Sequence, residues 1–184
     1  MGKNDIEIAC SLLETGGIIA YPTESVWGLG CDPYNESAVQ RILDLKQRPL
    51  DKGLILVAGK FDQIEDLIGP LSGEFGDRLR TSWPGPTTWL IPDPLNFFPN
   101  WIKGQHSSVA IRISAHPLVS ALCNQFGQPV VSTSANFSGQ LEIKSKADVE
   151  CQFGINIDYI LDGELGGRQN TSTIRDLITG KILR

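Results

Sequence analysis

The chain has 184 residues, 41% of them hydrophobic and 20% charged, a composition that predicts a single soluble globular domain over residues 1–184. Its formal net charge of -5 and its pI near 5.0 exclude a chain that coats nucleic acid through bulk positive charge, but not a local basic cleft. No apolar run approaches the length of a membrane span and no apolar secretory segment opens the chain, so we expect a cytoplasmic protein with no membrane partner.

The first third of the chain predicts two helices that alternate with two strands. Apolar residues three and four positions apart indicate helices over Asp5–Glu14, with Asn4 as its N-cap, and over the residues that follow Asn35. Pro49 prevents continuation of the second helix. Short apolar runs indicate buried strands, which are Ile18–Tyr21 and Gly53–Ala58.

The remaining two thirds of the chain continue the alternation. Helical patterns cover Asp62–Ile68, Ser72–Thr81, Pro117–Phe126 and a segment that Ser145 and Asp148 open as a capping box. Strand patterns cover Thr87–Ile91, Ser107–Ser114, a strand in Pro129–Asn136 that breaks into a loop, and a closing hairpin of Ser172–Asp176 and Lys181–Arg184. The alternation predicts an α/β fold with a twisted mixed sheet and helices on its faces, since the antiparallel hairpin excludes a purely parallel sheet.

Three cations, Lys46, Arg48 and Lys52, lie within seven positions and directly precede a predicted buried strand. One interpretation is a solvated helix end, where basic side chains complement the negative pole of the helix dipole. The other interpretation is an anion site, because two side chains in a turning segment can flank one phosphate group. The pattern alone leaves both interpretations open.

The stretch "VSTSANFSG" at 131–139 places three hydroxyls, an amide and a glycine directly after a predicted strand. It is compatible with an ordinary turn that is rich in local side-chain hydrogen bonds. It is also compatible with a polar cradle for phosphate or ribose oxygens, since open α/β sheets bind ligands at the carboxyl ends of strands. In the similar stretch "YPTESVWGLG", Gly28 and Gly30 do not complete a dinucleotide fingerprint.

Arg112 lies on an otherwise apolar strand, where an unpaired charge is unfavourable. It can form a structural ion pair with a carboxylate of the first loop, or it can present a planar fork to a ligand carboxylate. The glycines of "GELGGRQNTSTIRD", at 163–176, are compatible with a backbone anion site as well as with a surface turn.

Nothing in the sequence predicts a structural metal site. The four cysteines are far apart and form no zinc pattern, which favours reduced thiols in a reducing compartment. His106 and His116 occur in unrelated contexts, and His116 precedes a proline at a predicted helix start. Because zinc sites group three or four ligands, we expect neither histidine to bind metal. No Ser-His-Asp triad is recognisable.

Six ordered motifs together resemble the YrdC family along essentially the whole chain: "YPTESVWGLG", "LKQRPLDKGLIL", "WPGPTTWLIP", "SVAIRISAHPL", "VSTSANFSG" and the closing "STIRD" with "GKILR". The resemblance implies a YrdC-like fold and a nucleotidyltransferase that converts L-threonine, bicarbonate and ATP to threonylcarbamoyl-adenylate and pyrophosphate. A separate transferase system then moves the threonylcarbamoyl group to adenosine 37 of tRNAs.

The resemblance also implies roles for particular residues. The family's catalytic positions fall on Lys46, Arg48, Ser134 and Asn136. Its ATP-binding positions are these four together with Lys52, Ser108, Ser132 and Arg184. Its threonine-binding positions are Thr23, Arg112 and Ser172. The implied partners are ATP as a substrate, Mg²⁺ that accompanies it, L-threonine, bicarbonate, tRNA and the downstream threonylcarbamoyl transferase proteins.

The residue chemistry agrees with this activity, because adenylation at an α-phosphate depends mainly on positioning and charge neutralisation. Two other classes of protein are alternatives. A non-catalytic RNA-binding module would use the same basic cleft for a phosphate backbone, although the low pI and the missing RNA-binding motif disfavour it. A phosphosugar enzyme of similar architecture would need acidic clusters for metal, and the sequence shows none.

Overall fold

The computed structural model describes residues 3–69 and 73–184, and none of the helices in these ranges is long and apolar enough to cross a lipid bilayer. The helices are α1 (Lys3–Glu14), α2 (Glu36–Lys46), α3 (Glu65–Ile68), α4 (Gly73–Ser82), α5 (Asn100–Lys103), α6 (Pro117–Phe126) and α7 (Lys146–Phe153). The strands are β1 (Ile19–Pro22), β2 (Trp27–Gly30), β3 (Ile55–Ala58), β4 (Thr87–Pro92), β5 (Ser108–Ile113), β6 (Val130–Val131), β7 (Thr133–Ser134), β8 (Tyr159–Ile160) and β9 (Thr173–Asp176). Two 3-10 turns cover Leu50–Lys52 and Phe61–Ile64.

Local sequence signals decide where the longer helices begin and end. Asn35 caps α2, because its side-chain oxygen accepts the Ala38 N–H at 3.0 Å. Gln47 ends α2 in the left-handed conformation, and α6 has the predicted bounds. Ser145 caps α7 by accepting the Asp148 N–H at 3.1 Å, as predicted.

Three other helix predictions differ from the described structure or extend beyond it. The predicted cap Asn4 is wrong, because α1 begins before it and Asn4 lies inside the helix. Ser72, the first residue of a predicted helix, lies outside the described residues, and the described part of that helix is α4. The predicted helix over 62–68 is divided between a 3-10 turn and the short α3.

The predicted closing hairpin is only partly present. Strand β9 forms, but within the described chain the second strand is reduced to one isolated antiparallel bridge between Arg175 and Ile182. Ile182 is 59% exposed, so this segment has too little apolar burial to support a longer strand. The turn is as predicted, since the Gly180 N–H donates to the Asp176 carbonyl at 2.8 Å.

The strands form two mixed sheets in the described chain. One has the order β7-β2-β1-β8, and the other has the order β6-β3-β5-β4-β9. In the larger sheet, β3 and β5 are parallel, β4 and β5 are antiparallel, and β4 and β9 are parallel. The predicted α/β class with mixed pairing is therefore confirmed, and the strands divide into two sheets where one was expected.

The chain passes from one sheet to the other at Ser132. Strand β6 pairs with β3, whereas β7 pairs with β2. The Ser132 N–H donates to the Ile55 carbonyl at 2.7 Å, and the Tyr21 hydroxyl donates to the Val131 carbonyl at 3.1 Å. The hydroxyl-rich segment that follows β6 therefore lies between the two sheets.

Buried apolar side chains fix the helices against the sheets. Ile42 of α2 belongs to one cluster with Trp89 of β4, and Leu13 of α1 belongs to another that includes residues of α6. Trp27 and Phe153 pack in a third cluster, which joins β2 to α7. Since burying one large apolar side chain contributes about 1.5–3 kcal/mol, these clusters hold the backbone around the polar positions firmly.

Candidate functional site

Residues of both sheets line one cleft. It encloses about 690 Å³ of empty space, part of which is open to solvent. The predicted site residues that line it are Thr23, Arg48, Arg112, Ser132, Ser134, Ser172 and Arg184. The fold therefore brings together side chains from the first loop, the cation cluster, the hydroxyl-rich segment and the last strand.

Lys46 lies beneath the cleft and is 3% exposed. Its ammonium donates to the Ser134 carbonyl, to the Asn136 carbonyl at 2.7 Å and to Asn136 Oδ1 at 3.3 Å. The Ser138 N–H in turn donates to the Lys46 carbonyl at 3.0 Å. Lys46 therefore ties the hydroxyl-rich segment to the end of α2, with all three ammonium protons directed at protein oxygens.

Ser134 and Asn136 form one hydrogen-bonded unit above this ammonium. The Ser134 hydroxyl donates to Asn136 Oδ1 at 2.6 Å, and Asn136 Nδ2 donates to the carbonyls of Phe137 and Gln140. Only Ser134 of this pair lines the cleft within the described structure, while Asn136 is buried. Asn136 therefore supports the segment that presents Ser134.

Two guanidinium groups line the cleft close to this unit. Arg48 is half-buried, and its Nε and Nη2 donate to the Gly53 carbonyl at 3.2 and 2.9 Å. Arg184 is exposed and donates to the Ser172 carbonyl at 3.3 Å. Burial, together with the nearby Arg184 charge, lowers the pKa of Arg48. Two cations at one wall of a cleft favour a ligand with several negative charges.

We expect ATP binding to weaken as the pH rises above about 8. Burial lowers the pKa of the Lys46 ammonium to about 8, Arg48 adds to this lowering, and Glu142 opposes it. Lys46 is therefore charged below pH 8 and loses its charge above it, along with one donor to the hydroxyl-rich segment. Calorimetry of ATP binding between about pH 6.5 and 9.5 checks this, and Lys46→Arg removes the dependence because arginine stays charged throughout.

The sign of the stability change follows from the same shift. Between about pH 8 and the ordinary lysine pKa of 10.5, the unfolded chain binds more protons at this position than the folded chain does. Lys46 therefore makes the free energy of unfolding rise with pH in that window. An ATP affinity that stays flat through pH 9.5, with an intact fold, would contradict a role of the Lys46 charge in binding.

Arg112, another residue of the cleft lining, forms an ion pair with Glu24. The distance between Arg112 Nη1 and Glu24 Oε2 is 2.7 Å, and both side chains are about nine-tenths buried. The sequence left open an ion pair with a carboxylate of the first loop, and the structure contains this pair. Arg112 also lines the cleft, so the pair does not exclude a ligand contact.

The remaining predicted contacts are neutral hydroxyls. Thr23 is buried, and its hydroxyl donates to the Val26 carbonyl at 2.7 Å. Ser172 shares a 2.8 Å hydrogen bond with Thr88. Ser132 lies at the crossing between the sheets and is also buried. Each hydroxyl retains acceptor capacity toward the cleft, since a hydroxyl offers one donor and two acceptor positions.

Besides Lys46 and Asn136, two further predicted positions do not line the cleft within the described structure. Lys52 is exposed in the 3-10 turn after α2. Ser108 lies at the start of β5, opposite Pro92 and four residues before Arg112, a separation of about 13 Å along an extended strand. The roles that the resemblance implies for Lys52 and Ser108 remain predictions.

Sequence reasoning missed several lining residues, namely Ser25, Trp27, Glu142 and Thr171. Trp27 and Ser25 lie inside a quoted motif, but its polar residues and its two glycines do not predict strand β2. Glu142 is the one carboxylate among the lining residues of the described chain. Nothing in its local sequence indicates that the chain returns to the cleft there.

The "GELGGR" segment has a different role from the anion site considered above. The Gly166 and Arg168 N–H groups donate to the Thr23 and Glu24 carbonyls at 3.0 and 2.8 Å. These donors are therefore engaged with the first loop, and the interpretation as an anion site is not supported. His116 stands at the N-cap of α6, and its Nε2 donates to the Glu164 carbonyl at 3.0 Å.

Metal-binding groups are sparse in the part of the chain that the structure describes. No cluster of three or more histidine, cysteine or carboxylate side chains suited to a metal ion occurs in residues 3–69 and 73–184. All four cysteines are free thiols, with Cys151 exposed and the other three buried. The chemistry that the cleft offers is therefore that of cations, hydroxyls and one ion pair.

The fold and the cleft define an α/β protein with a basic, preformed small-molecule site between two mixed sheets. The family model Sua5_yciO_yrdC, described as telomere recombination, matches residues 11–184. The chain therefore belongs to the Sua5/YciO/YrdC family, as the six sequence motifs predict.

Named relatives extend over nearly the whole chain. A threonylcarbamoyl-AMP synthase of Pseudomonas aeruginosa is 50% identical over 178 residues, which are 97% of this chain and 95% of the relative. One of Stutzerimonas stutzeri is 48% identical over 184 residues, 100% of this chain and 98% of the relative. The solved structure of P. abyssi Sua5 complexed with L-threonine is 34% identical, with a TM-score of 0.89, and the match covers 97% of this chain and 53% of that one. This chain thus spans about half the length of that solved chain.

Proposed function

We propose that this chain is a threonylcarbamoyl-AMP synthase, which forms threonylcarbamoyl-adenylate and pyrophosphate from L-threonine, bicarbonate and ATP. The observation that carries the proposal is the division of the cleft into two kinds of charge. Arg48 and Arg184 supply positive charge that the lining carboxylate of Glu142 offsets only in part, whereas Arg112 is paired with Glu24. The relatives named threonylcarbamoyl-AMP synthase, about 50% identical over nearly the whole chain, support the same activity.

The phosphate side of the cleft fits the needs of adenylate formation. Attack on an α-phosphate with departure of pyrophosphate builds negative charge on the phosphate oxygens, and cations held in place stabilise that charge. Arg48 and Arg184 provide these cations, and the Ser134 hydroxyl provides a neutral donor on the segment that Lys46 and Asn136 hold. Mg²⁺ would accompany ATP, bound mainly by phosphate oxygens and water.

The other side of the cleft fits an amino acid. A guanidinium presents a planar fork that matches a carboxylate, and Arg112 has the buried hydroxyl of Thr23 and that of Ser172 in the same lining. P. abyssi Sua5 was solved with L-threonine, which supports threonine as the amino acid here. The product would pass to separate transferase proteins that modify tRNA, and we place these steps in the cytoplasm.

We expect pyrophosphate to form only when L-threonine, bicarbonate, ATP and Mg²⁺ are all present. Ordinary amino-acid adenylation does not consume bicarbonate, so a bicarbonate requirement identifies a carbamoyl-adenylate. L-Serine should react less well, since one methyl group in an apolar pocket supports about 10- to 200-fold discrimination. Pyrophosphate release and mass spectrometry of the quenched mixture, both without RNA, are the measurements.

Arg48→Ala serves as the matched impaired control, because it removes a cleft cation and should lower pyrophosphate release at limiting ATP. Pyrophosphate release without bicarbonate would indicate a plain aminoacyl-adenylate enzyme. Salt-sensitive RNA binding with no adenylate under any of these conditions would favour the RNA-binding module instead.

A further inference from the structure

Both carboxylate oxygens of Glu24 accept hydrogen bonds, one of them from Arg112. Its Oε2 accepts from Arg112 Nη1 at 2.7 Å, and its Oε1 accepts from the Ser114 hydroxyl at 2.7 Å and from the Ala115 N–H at 3.1 Å. Burial disfavours the charged form, but the Arg112 charge and these donors outweigh it, so the pKa of Glu24 lies below its ordinary value. Glu24 is therefore a fixed carboxylate, since three of its roughly four acceptor positions are already occupied by protein donors.

The backbone of Glu24 is held as firmly as its side chain. The N–H groups of Gly166 and Arg168 bind the carbonyls of Thr23 and Glu24. A Cβ at position 166 would come within 3.0 Å of Glu24 Cα and 3.3 Å of the His116 ring, so glycine permits this close approach. The carboxylate is thus anchored from both its side chain and its main chain.

Arg112 is engaged by this anchor through one nitrogen. A guanidinium has five N–H donors, and the described hydrogen bonds of Arg112 use Nη1 alone. In the described residues, no side-chain nitrogen of Arg112 is both buried and without a hydrogen-bond partner. Because Arg112 also lines the cleft, its free N–H groups open toward the cleft.

We propose that Glu24 is a positioning residue, which holds the Arg112 guanidinium in the orientation that receives the carboxylate of L-threonine. This inference rests on the proposed function, because it takes threonine as the ligand of Arg112. The contact to Nη1 restrains the orientation of the guanidinium and leaves its other nitrogens for a second carboxylate. Glu24 itself does not contact the substrate, so its effect is confined to the carboxylate of the ligand.

The test compares two probes, L-threonine and L-threoninol, in which a hydroxymethyl group replaces the carboxylate. Both dissociation constants are measured by calorimetry with the full chain. The dissociation constant of L-threoninol divided by that of L-threonine reports the Arg112–carboxylate contact. In the unmodified protein this ratio should be roughly 10 to 150, the value of one charged hydrogen bond. In Glu24→Gln it should fall by roughly tenfold, because a glutamine amide cannot accept from Arg112 and from the Ser114–Ala115 pair at once.

A second variant keeps the test decisive if Glu24→Gln does not fold. Ser114→Ala removes one donor to Glu24 and retains both charges, so the ratio should fall in the same direction by a smaller factor. The matched control is Asp93→Asn, which breaks a buried ion pair to Lys103 of similar burial outside the cleft lining. This control should lower the melting temperature and leave the ratio unchanged.

The outcomes separate this inference from the proposed function. If both probes weaken equally in Glu24→Gln or Ser114→Ala, Glu24 is only structural and the inference is overturned. If the ratio rises, Glu24 screens the Arg112 charge and does not orient it, which also overturns the inference. If the unmodified protein binds ATP but not L-threonine, the proposed function fails, and the inference fails with it.

Discussion

Arg48→Ala is expected to weaken ATP binding by about 10- to 150-fold, the effect of losing one charged hydrogen bond of roughly 1.5–3 kcal/mol. Arg48 is half-buried in the cleft and lies near the charge of Arg184, so the triphosphate relieves repulsion between two cations as well as gaining a contact. Threonine binding should stay within about twofold, since Arg48 and Arg112 share no hydrogen-bond partner among the described contacts. Calorimetry of both ligands and a melting curve are the measurements.

The control for this variant is Arg41→Ala. Arg41 lies in α2, the helix that precedes Arg48, and likewise donates to a backbone carbonyl, that of Gly16 at 3.1 Å. It pairs with Asp158 at the surface and does not line the cleft. Its removal should leave ATP affinity unchanged. Equal ATP affinity in Arg48→Ala and Arg41→Ala would remove the phosphate site from this position.

Arg112→Lys is expected to weaken L-threonine binding by about 10- to 150-fold and to leave ATP binding within about twofold. Lysine retains the charge next to Glu24, so the pair with the buried carboxylate can persist. It does not retain the planar fork, and a single ammonium cannot bind Glu24 and a second carboxylate in the same geometry. Calorimetry with each ligand separates the two effects.

Arg175→Lys provides the comparison for this change. Arg175 stacks over Trp89 at 5.0 Å and donates to the Gly180 carbonyl through two nitrogens. It lies in the same sheet, partly buried and outside the cleft lining. The affinities of both ligands are measured in Arg175→Lys as well. If Arg112→Lys weakens both ligands equally, or changes their affinities no more than Arg175→Lys does, then Arg112 is structural and the threonine site lies elsewhere.

Helices were the most predictable part of the fold, because their signals are local. A capping side chain such as Asn35 or Ser145 bonds to an N–H three residues away, so the sequence contains both partners. The prediction of Asn4 as a cap was wrong, because a good capping residue can also occupy a helix interior when the residue before it is helical. The bounds of α6 follow from Pro117 at its first turn and Gly127 after its last residue.

Strand β2 could not be predicted, because its glycines are required by contacts from distant residues. A Cβ at Gly30 would lie 2.5 Å from the Val131 carbonyl oxygen and 2.7 Å from the Tyr21 ring. The sequence therefore shows glycines that are typical of a loop, whereas close packing between neighbouring strands demands them. The division into two sheets is also hidden in the sequence, because only one residue separates β6 from β7.

The candidate site was predicted by residue type better than by orientation. Three predicted arginines and four predicted hydroxyl residues do line one cleft, whereas Lys46, Lys52 and Ser108 do not. The first-loop partner considered for Arg112 is Glu24. The burial of Lys46 was not predicted, because helical periodicity does not show that the hydroxyl-rich segment folds back over the end of α2. Glu142 was missed, since a lone exposed carboxylate after a turn has no distinguishing pattern.

The passage of the chain from one sheet to the other at Ser132 links ligand binding to the cohesion of the whole molecule. The cleft takes its walls from both sheets, so it exists only while the two sheets keep their relative placement. A ligand that spans the cleft therefore binds the intact fold, and it does not bind a form in which the two sheets have separated. By mass action, such a ligand at a hundred times its dissociation constant adds about 2.7 kcal/mol to the free energy of unfolding, and it adds as much against separation of the sheets as against complete unfolding.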